Sequence, residues 1–136
     1  MREILFRGKR DGDGEWVMGD RAGYSDYVMI WDLIDKGVGY LVDPATVGQF
    51  TGLCDDKGRK VFEGDIIDVR GRFKSEVRYI SLNAGYLIKD NYGDWKWLYD
   101  VLASMPCEVI GNIYDKEEQD ALQGKFAQNG RCTFDE

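Results

Sequence analysis

The chain has 136 residues, of which 43% are hydrophobic and 13% aromatic, enough for one domain with a buried core and too much for a globally disordered chain. Asp and Glu number 25 against 18 Lys and Arg, and the net charge of -7 argues against non-specific attraction to nucleic-acid phosphates. The absence of histidine excludes Ser-His and Cys-His nucleophile pairs and the commonest zinc sites.

The cysteines and the apolar runs bear on the cellular compartment. Cys54, Cys107 and Cys132 are far apart, form no CxxC pair and are odd in number, so they do not suggest a disulfide framework. No stretch approaches the roughly 20 apolar residues that span a bilayer, and the N-terminus lacks the apolar run of a signal peptide. We therefore expect a soluble, cytoplasmic protein with reduced thiols and no membrane contact.

The first segment of the chain predicts a hairpin. Residues 2–7 alternate charged and bulky side chains, and EWVMG at 15–19 follows the glycine-rich sequence DGDG at 11–14. Two short strands joined by a glycine-rich turn have this pattern. A calcium interpretation of DGDG fails, because an EF-hand loop that begins at Asp11 needs glycine where Trp16 stands.

A second pair of strands is predicted in the next segment. The sequence YVMIWDLI at 27–34 is nearly all apolar, and a turn at 35–37 separates it from VGYLV at 38–42. We interpret these runs as a buried strand, a tight turn and another strand. A short amphipathic helix over 29–35 remains an alternative, because brief apolar runs do not separate the two structures.

The central stretch, GQFTGLCDDKGRKVFEGDIIDV at 48–69, contains two predicted reversals. Asp55 and Gly58 stand at the first and fourth positions of a type I turn, where Asp accepts a backbone N–H and Gly tolerates positive φ. Gly64, between Glu63 and Asp65, predicts a second reversal that leads into a strand. We expect Gly64 to support the fold and the acids around it to lie in solvent.

Beyond residue 69 the pattern remains one of short strands between turns. The predicted strands lie in SEVRYISL (75–82), GYLIKD (85–90), WKWLYDV (95–101) and CEVIGNIY (107–114). Such strands indicate a twisted antiparallel sheet or a small barrel. One helix is predicted near the C-terminus, because Asp115 and Glu118 form a capping box and Gly124 can end the helix.

Three blocks of the sequence resemble the YopX family, whose proteins are encoded largely by bacteriophages and prophages. They are REILFR at 2–7, VGQFTGLCDDKGRKVFEGDII at 47–67 and CEVIGNIYD at 107–115. The resemblance implies a mainly β protein that contains an SH3-like barrel and self-associates. It implies no activity, and it transfers no catalytic or binding residues. Cys54 stands where the family often has a charged residue, which disfavours a role for its thiol.

The fold prediction combines the turn spacing with this resemblance. We predict a single mainly β domain over residues 1–136. It comprises an N-terminal β region at about 1–54, an SH3-like barrel at about 55–115, and a short helix and tail at 116–136.

The acids of the central stretch raise the possibility of a carboxylate-metal hydrolase. Glu63, Asp65 and Asp68 could hold Mg²⁺, as in nucleases that gather carboxylates on adjacent strands. A nuclease signature would have lysine two positions after the acid, whereas Glu63 is followed there by Asp65. We therefore favour a structural role in turns for Asp55, Gly58, Gly64 and Asp65, and expect no metal or cofactor.

The aromatic residues of the predicted strand at 95–101 suggest a core or a binding face. On a strand, Trp95, Trp97 and Tyr99 would project to one side. We rank a barrel core first, a subunit interface second and a ligand platform third. The platform would stack the bases of single-stranded nucleic acid, with Lys96, Arg78 and Lys89 nearby.

These expectations define the predicted function. We expect a phage or prophage accessory protein that is not an enzyme, works in the cytoplasm of the bacterial host, and binds another host or phage protein or assembles with itself. A module for single-stranded nucleic acid is the first alternative, disfavoured by the acidic charge, and the carboxylate-metal hydrolase is the second.

Overall fold

The structure is a computed structural model that describes residues 3–115. Within that range the protein is mainly β, with antiparallel strands and a single short α-helix, so the predicted fold class is confirmed at this level. The chain divides into two compact units, Met1–Gly52 and Leu53–Glu136, called here the N-terminal and C-terminal units. No helix in the described part of the chain is long and apolar enough to cross a membrane.

The N-terminal unit is built from antiparallel strands. They are β1 (Phe6–Lys9), β2 (Trp16–Gly23), β3 (Val28–Asp32), β4 (Gly39–Val42) and β5 (Gly48–Cys54), the last of which extends two residues past the unit boundary. Their spatial order is β4-β3-β2-β1-β5. A 3-10 turn at Pro44–Thr46 connects β4 to β5. The predicted hairpin around DGDG is confirmed, since β1 pairs with β2.

The core of this unit explains why residues 28–32 form a strand and not a helix. Val28 and Ile30 are buried together with Val17 and Val42, while Trp31, which follows Ile30, is 41% exposed. Burial at every second residue is the period of a strand. Because β3 also pairs with both β2 and β4, the helical alternative over 29–35 is wrong.

The described part of the C-terminal unit, residues 53–115, contains two open three-stranded sheets. Its elements are β6 (Lys60–Phe62), β7 (Asp65–Val69), β8 (Phe73–Glu76), β9 (Arg78–Ile80), β10 (Gly85–Lys89), β11 (Trp95–Trp97), α1 (Leu98–Ser104) and β12 (Cys107–Asn112). The sheet orders are β12-β7-β8 and β11-β10-β9. No closed barrel is found among the strands that the structure describes, so the SH3-like barrel stays a prediction.

Strand β7 lies at the centre of the core of this unit. Its neighbours Ile66 and Ile67 point to opposite faces, and both are fully buried. The two sheets are also linked directly, since the Lys89 N–H on β10 donates to the Ser75 hydroxyl on β8 at 3.1 Å. Strand β7 is therefore buried on both faces and lies between β12 and β8 in its sheet.

The helix α1 corrects the predicted strand at 95–101. The strand ends at Trp97, and residues 98–104 are helical. Leu98 and Val101 are buried three positions apart, which places them on one face of a helix. The run was too short for its period to identify the helix. The helix predicted after Asp115 lies outside the described residues.

Candidate functional site

Asp55 joins the central turn to the strand β12. Its side chain is 7% exposed, and its Oδ1 accepts hydrogen bonds from the N–H groups of Lys57 at 3.0 Å and Arg59 at 2.8 Å. Its Oδ2 accepts the N–H of Val109 at 2.8 Å. Gly58 completes the turn with φ of 81°. The carboxylate therefore fixes the turn and β12 together.

The next residues of the turn hold the start of the same strand. Asp56 Oδ2 accepts the N–H of Cys107 at 3.1 Å, and the Asp56 N–H donates to the Cys107 carbonyl at 3.1 Å. The guanidinium of Arg59 donates to the Val109 carbonyl at 3.0 Å. Burial, and then the nearby carboxylates Asp56, Asp55 and Asp68, raise the pKa of Cys107 to about 11. Its thiol therefore stays protonated and weakly nucleophilic near neutral pH.

Gly64 and Asp65 form the second reversal, between β6 and β7. Gly64 has φ of 91°, and a Cβ there would lie 2.9 Å from Cε2 of Tyr114. Asp65 is only 1% exposed, and its Oδ2 accepts the N–H of Phe62 at 2.7 Å. The expectation that the acids around Gly64 lie in solvent is therefore wrong for Asp65, which satisfies the backbone of the reversal.

The three acids considered for Mg²⁺ do not form a common group. Asp65 and Asp68 stand three positions apart on β7, so they project to opposite faces of the strand. Among residues 3–115, no group of three or more Cys, Asp or Glu side chains is arranged to hold a metal ion. Glu63 also lies near Glu76, whose pKa is raised by burial first and by Glu63 to a lesser extent, against the opposing effect of Arg78.

The rings of Trp95, Trp97 and Tyr99 lie at the surface of the C-terminal unit, so the first-ranked interpretation of them as a barrel core is wrong for Trp95 and Tyr99. Trp95 is 40% exposed, Trp97 is half-buried and Tyr99 is 54% exposed. Trp95 and Trp97 share one side of β11, whereas Tyr99 belongs to the first turn of α1. The rings of Trp97 and Tyr99 are nevertheless 5.9 Å apart between centroids. We call these three residues the aromatic face.

Two basic side chains lie against the first of these rings. Lys89 is paired directly opposite Trp95, and its Nζ is 5.2 Å from the indole centroid. The guanidinium carbon of Arg78, on the next strand, is 5.9 Å from the same ring. A cation over an indole is attracted by the negative face of the ring. The structure thus brings together Trp95 and two of the three basic residues named from the sequence.

A groove of about 420 Å³ borders β11. Its volume is within the usual range for ligand sites. Aromatic and basic side chains that line the groove include Phe73, Tyr92, Trp95, Arg70, Arg72 and Lys96. Asp90 and Asp100 also line it. We call this cavity the β11 groove.

Two tight turns form the walls of the β11 groove. In the β7–β8 hairpin, Arg70 has φ of 58° and Gly71 has φ of 71°, and the Arg72 N–H donates to the Val69 carbonyl at 2.9 Å. The Arg70 N–H donates to the Pro106 carbonyl at 2.8 Å. These backbone hydrogen bonds hold the β7–β8 turn in place at the groove.

The turn between β10 and β11 is held by a carboxylate. Asp90 Oδ1 accepts the N–H groups of Tyr92 and Asp94, both at 2.9 Å. The hydrogen bond from Asp94 is the largest cause of the lowered pKa of Asp90. This carboxylate is consequently ionised and engaged by its own turn.

Arg70 and Arg72 were missed as candidate residues in the sequence. They flank Gly71 in the sequence RGR, which lies between two predicted strands and carries no known binding motif. The signal that could have identified them is the pair of positive charges, one on each side of the turn glycine. Trp95 and Trp97, in contrast, were apparent from their spacing.

The comparison with protein families identifies the chain. The model of the family described as YopX protein matches residues 6–119, which is most of the sequence. The chain belongs to the YopX family. The resemblance carried by the three sequence blocks is confirmed, and in this YopX protein the central block supplies Asp55, Gly64 and Asp65 to the turns described above. A search of curated proteins found no match.

Proposed function

We propose that this YopX-family protein is a non-enzymatic binding module that acts by binding another protein through its aromatic face. The observation that carries the proposal is the exposure of Trp95 at 40% and of Tyr99 at 54% beside Trp97. Tryptophan and tyrosine are over-represented in protein interfaces and among the residues that contribute most to binding. Large rings left in water on adjacent elements are therefore well suited to a protein partner.

The proposal includes a setting and a kind of partner. The protein acts in the cytoplasm of a bacterial host cell as an accessory protein of a phage or prophage, and its partner is a host or phage protein. It uses no catalytic residue, metal or cofactor. Incubation with Mg²⁺ and nucleic acid is expected to give no cleavage products, and cleavage that Asp65→Asn abolishes would contradict this part of the proposal.

Self-association through the same face is part of the proposal. A twofold dimer would set the aromatic face of one copy against that of another, burying the rings of both. Light scattering at micromolar protein is expected to give a dimer mass for the wild type and a monomer mass for the Trp95→Ala/Tyr99→Ala double variant.

The matched control for this experiment is Tyr24→Ala. Tyr24 is 50% exposed in the N-terminal unit, where its ring stacks on Tyr27 with centroids 4.6 Å apart. The substitution Tyr24→Ala removes a comparable exposed ring from another surface, so this variant is expected to keep the wild-type mass. A wild type that is monomeric throughout the concentration range would contradict self-association and leave binding to other proteins to be tested by capture.

Capture from a bacterial lysate tests the partner. The wild type and Tyr24→Ala are expected to retain the same protein, identified by mass spectrometry, and the Trp95→Ala/Tyr99→Ala variant is expected to lose it. Equal recovery with all three proteins would show that the aromatic face does not bind the partner.

We also propose that residues 55–115 form an SH3-like barrel. Two features support this: β8 and β9 are separated only by Val77 and so continue from one sheet into the other, and β12 returns to pair with β7. The hydrogen bond from Lys89 to Ser75 brings the sheets together at β8 and β10. Nuclear Overhauser contacts between these two strands in labelled protein are expected, and their absence would contradict a closed arrangement.

A further inference from the structure

We propose that the β11 groove and the adjoining ring of Trp95 bind single-stranded nucleic acid, a further function that shares Trp95 with the protein binding proposed above. The inference rests on three features of the C-terminal unit: an exposed indole with cations at its face, two groove arginines that have no partner among residues 3–115, and the shortness of β11.

Trp95 can stack on a base. It lies on β11, at the edge of its sheet, and 40% of its surface is exposed. Lys89 and Arg78 lie 5.2 Å and 5.9 Å from the centroid of its ring, so a base stacked on the exposed part of the ring would place its phosphates near positive charge. Aromatic rings beside basic groups are the usual means by which proteins hold single strands without regard to sequence.

Arg70 and Arg72 supply further positive charge at the groove. The guanidinium groups of both residues make no hydrogen bond or ion pair with any residue between 3 and 115. A guanidinium presents a planar fork of donors that fits a phosphate. The same groove offers the rings of Phe73 and Tyr92, so a base and a phosphate of one strand can be accommodated together.

The backbone at Arg70 adds to this interpretation. Its φ of 58° is unfavourable for a side chain with a Cβ, and glycine or asparagine would be the better residue for that turn. Its place in the fold therefore requires nothing of the arginine side chain. A ligand that binds the guanidinium accounts for a basic residue at a position that its backbone disfavours.

The shortness of β11 favours nucleic acid over a peptide. A peptide that extends the sheet takes its affinity from main-chain hydrogen bonds along an edge strand. The edge here has only three residues, Trp95–Trp97. Recognition must then come from side chains, and those at the groove include rings and cations beside the acids Asp90 and Asp100.

The acidic charge of the protein sets limits on this binding. Asp90 and Asp100 line the same groove, and the whole chain has a net charge of -7. At about 0.1 M salt, charges more than about 10 Å away are largely screened, so the acids that oppose binding most there are the two in the groove, Asp90 and Asp100. The expected affinity is moderate and falls steeply as salt is added.

The experiment measures fluorescence anisotropy of a labelled thymidine oligonucleotide of about 20 nucleotides, at about 20 mM and about 200 mM NaCl. We expect saturable binding that weakens at least about tenfold at the higher salt. Trp95→Ala is expected to weaken it at least about fivefold through loss of stacking. The Arg70→Asn/Arg72→Gln double variant is expected to weaken it and to reduce the salt dependence.

Lys36→Gln is the matched control for charge, because Lys36 is exposed in a turn of the N-terminal unit. It is expected to bind like the wild type, and thermal melting checks that each variant is folded. No binding at low salt would overturn the proposal. Equal loss of binding in Lys36→Gln and in the arginine variant would also overturn it, because it would indicate diffuse charge. So would displacement of the labelled oligonucleotide by thymidine monophosphate at the same concentration as by unlabelled oligonucleotide, because it would indicate a site for a free nucleotide.

Discussion

The carboxylate of Asp55 accepts the backbone N–H of Val109 at 2.8 Å, across 54 positions of the sequence. Its other oxygen accepts two N–H groups of its own turn, from Lys57 and Arg59. One side chain thus joins two of the three sequence blocks that carry the family resemblance. The acid is therefore part of the framework that holds the C-terminal unit.

Asp55→Asn is expected to lower the free energy of unfolding by about 2–3 kcal/mol. Each hydrogen bond to a charged acceptor contributes about 1.5–3 kcal/mol, and an asparagine can accept at only one of its two ends. Its amide group would face a backbone donor in either orientation. Urea denaturation followed by tryptophan fluorescence measures the change.

Asp56→Asn is the control for this substitution. Asp56 is exposed, and its carboxylate accepts one hydrogen bond, from Cys107 at 3.1 Å. Its loss is expected to cost less than about 1 kcal/mol. Equal effects of the two substitutions would show that the bond to Val109 does not stabilise the fold.

The sequence could predict the local half of this arrangement and not the distant half. The spacing of Asp55 and Gly58 predicts a turn, because turn preferences depend on neighbours in the chain. Nothing in that spacing indicates that the second carboxylate oxygen meets Val109, since this depends on how β12 packs. For the same reason the burial of Asp65 was not foreseen.

Gly64→Ala is expected to be more damaging than Gly58→Ala. Both glycines have positive φ, 91° and 81°, which costs an alanine about 1–2 kcal/mol. At Gly64 the new Cβ would also lie 2.9 Å from Tyr114, whereas at Gly58 it meets nothing within 4 Å. The difference between the two free energies of unfolding isolates the steric part, and equal losses would contradict a close contact with Tyr114.

The aromatic face shows how far periodicity can predict a site. Alternation places Trp95 and Trp97 on one side of a strand, which the structure shows. It fails at Tyr99, because the chain becomes helical at Leu98, where burial of Leu98 and Val101 outweighs the strand preference of the flanking aromatics. The ring of Tyr99 still reaches Trp97, a contact that depends on the packing of α1.

Cys107 is expected to resist alkylation near neutral pH. It is 2% exposed and its pKa is raised to about 11, whereas Cys54 is exposed. Iodoacetamide at about pH 8, where an ordinary thiol is partly ionised, is expected to label Cys54 in the folded protein and Cys107 only after denaturant is added. Peptide mass mapping measures the labelling at each site, and rapid labelling of Cys107 in the folded protein would contradict its burial.

The same thiol predicts a loss of stability in alkali. The pKa of Cys107 rises from 9.0 in the unfolded chain to about 11 in the folded protein, so folding favours the protonated thiol. The stabilisation is complete below about pH 9 and is lost as the pH rises towards about 11, by up to about 2–3 kcal/mol. Because lysines and tyrosines also titrate there, the measured quantity is the difference between the wild type and Cys107→Ala, which is expected to shrink over that range.

Arg70→Asn is expected to stabilise the protein by about 0.5–1 kcal/mol. Arg70 has φ of 58° in the β7–β8 turn, and asparagine tolerates this left-handed conformation better than arginine. Arg70 is exposed and its guanidinium has no partner among residues 3–115, so no contact within that range is lost. Ala84→Gly relieves the other positive φ, 54°, that a non-glycine residue has among residues 3–115, and Ala84 does not line the β11 groove. Both substitutions are expected to raise the urea midpoint, and only Arg70→Asn is expected to weaken binding of the oligonucleotide. A decrease in stability in Arg70→Asn would show that the arginine side chain supports the fold, and its place at the groove would then need no ligand.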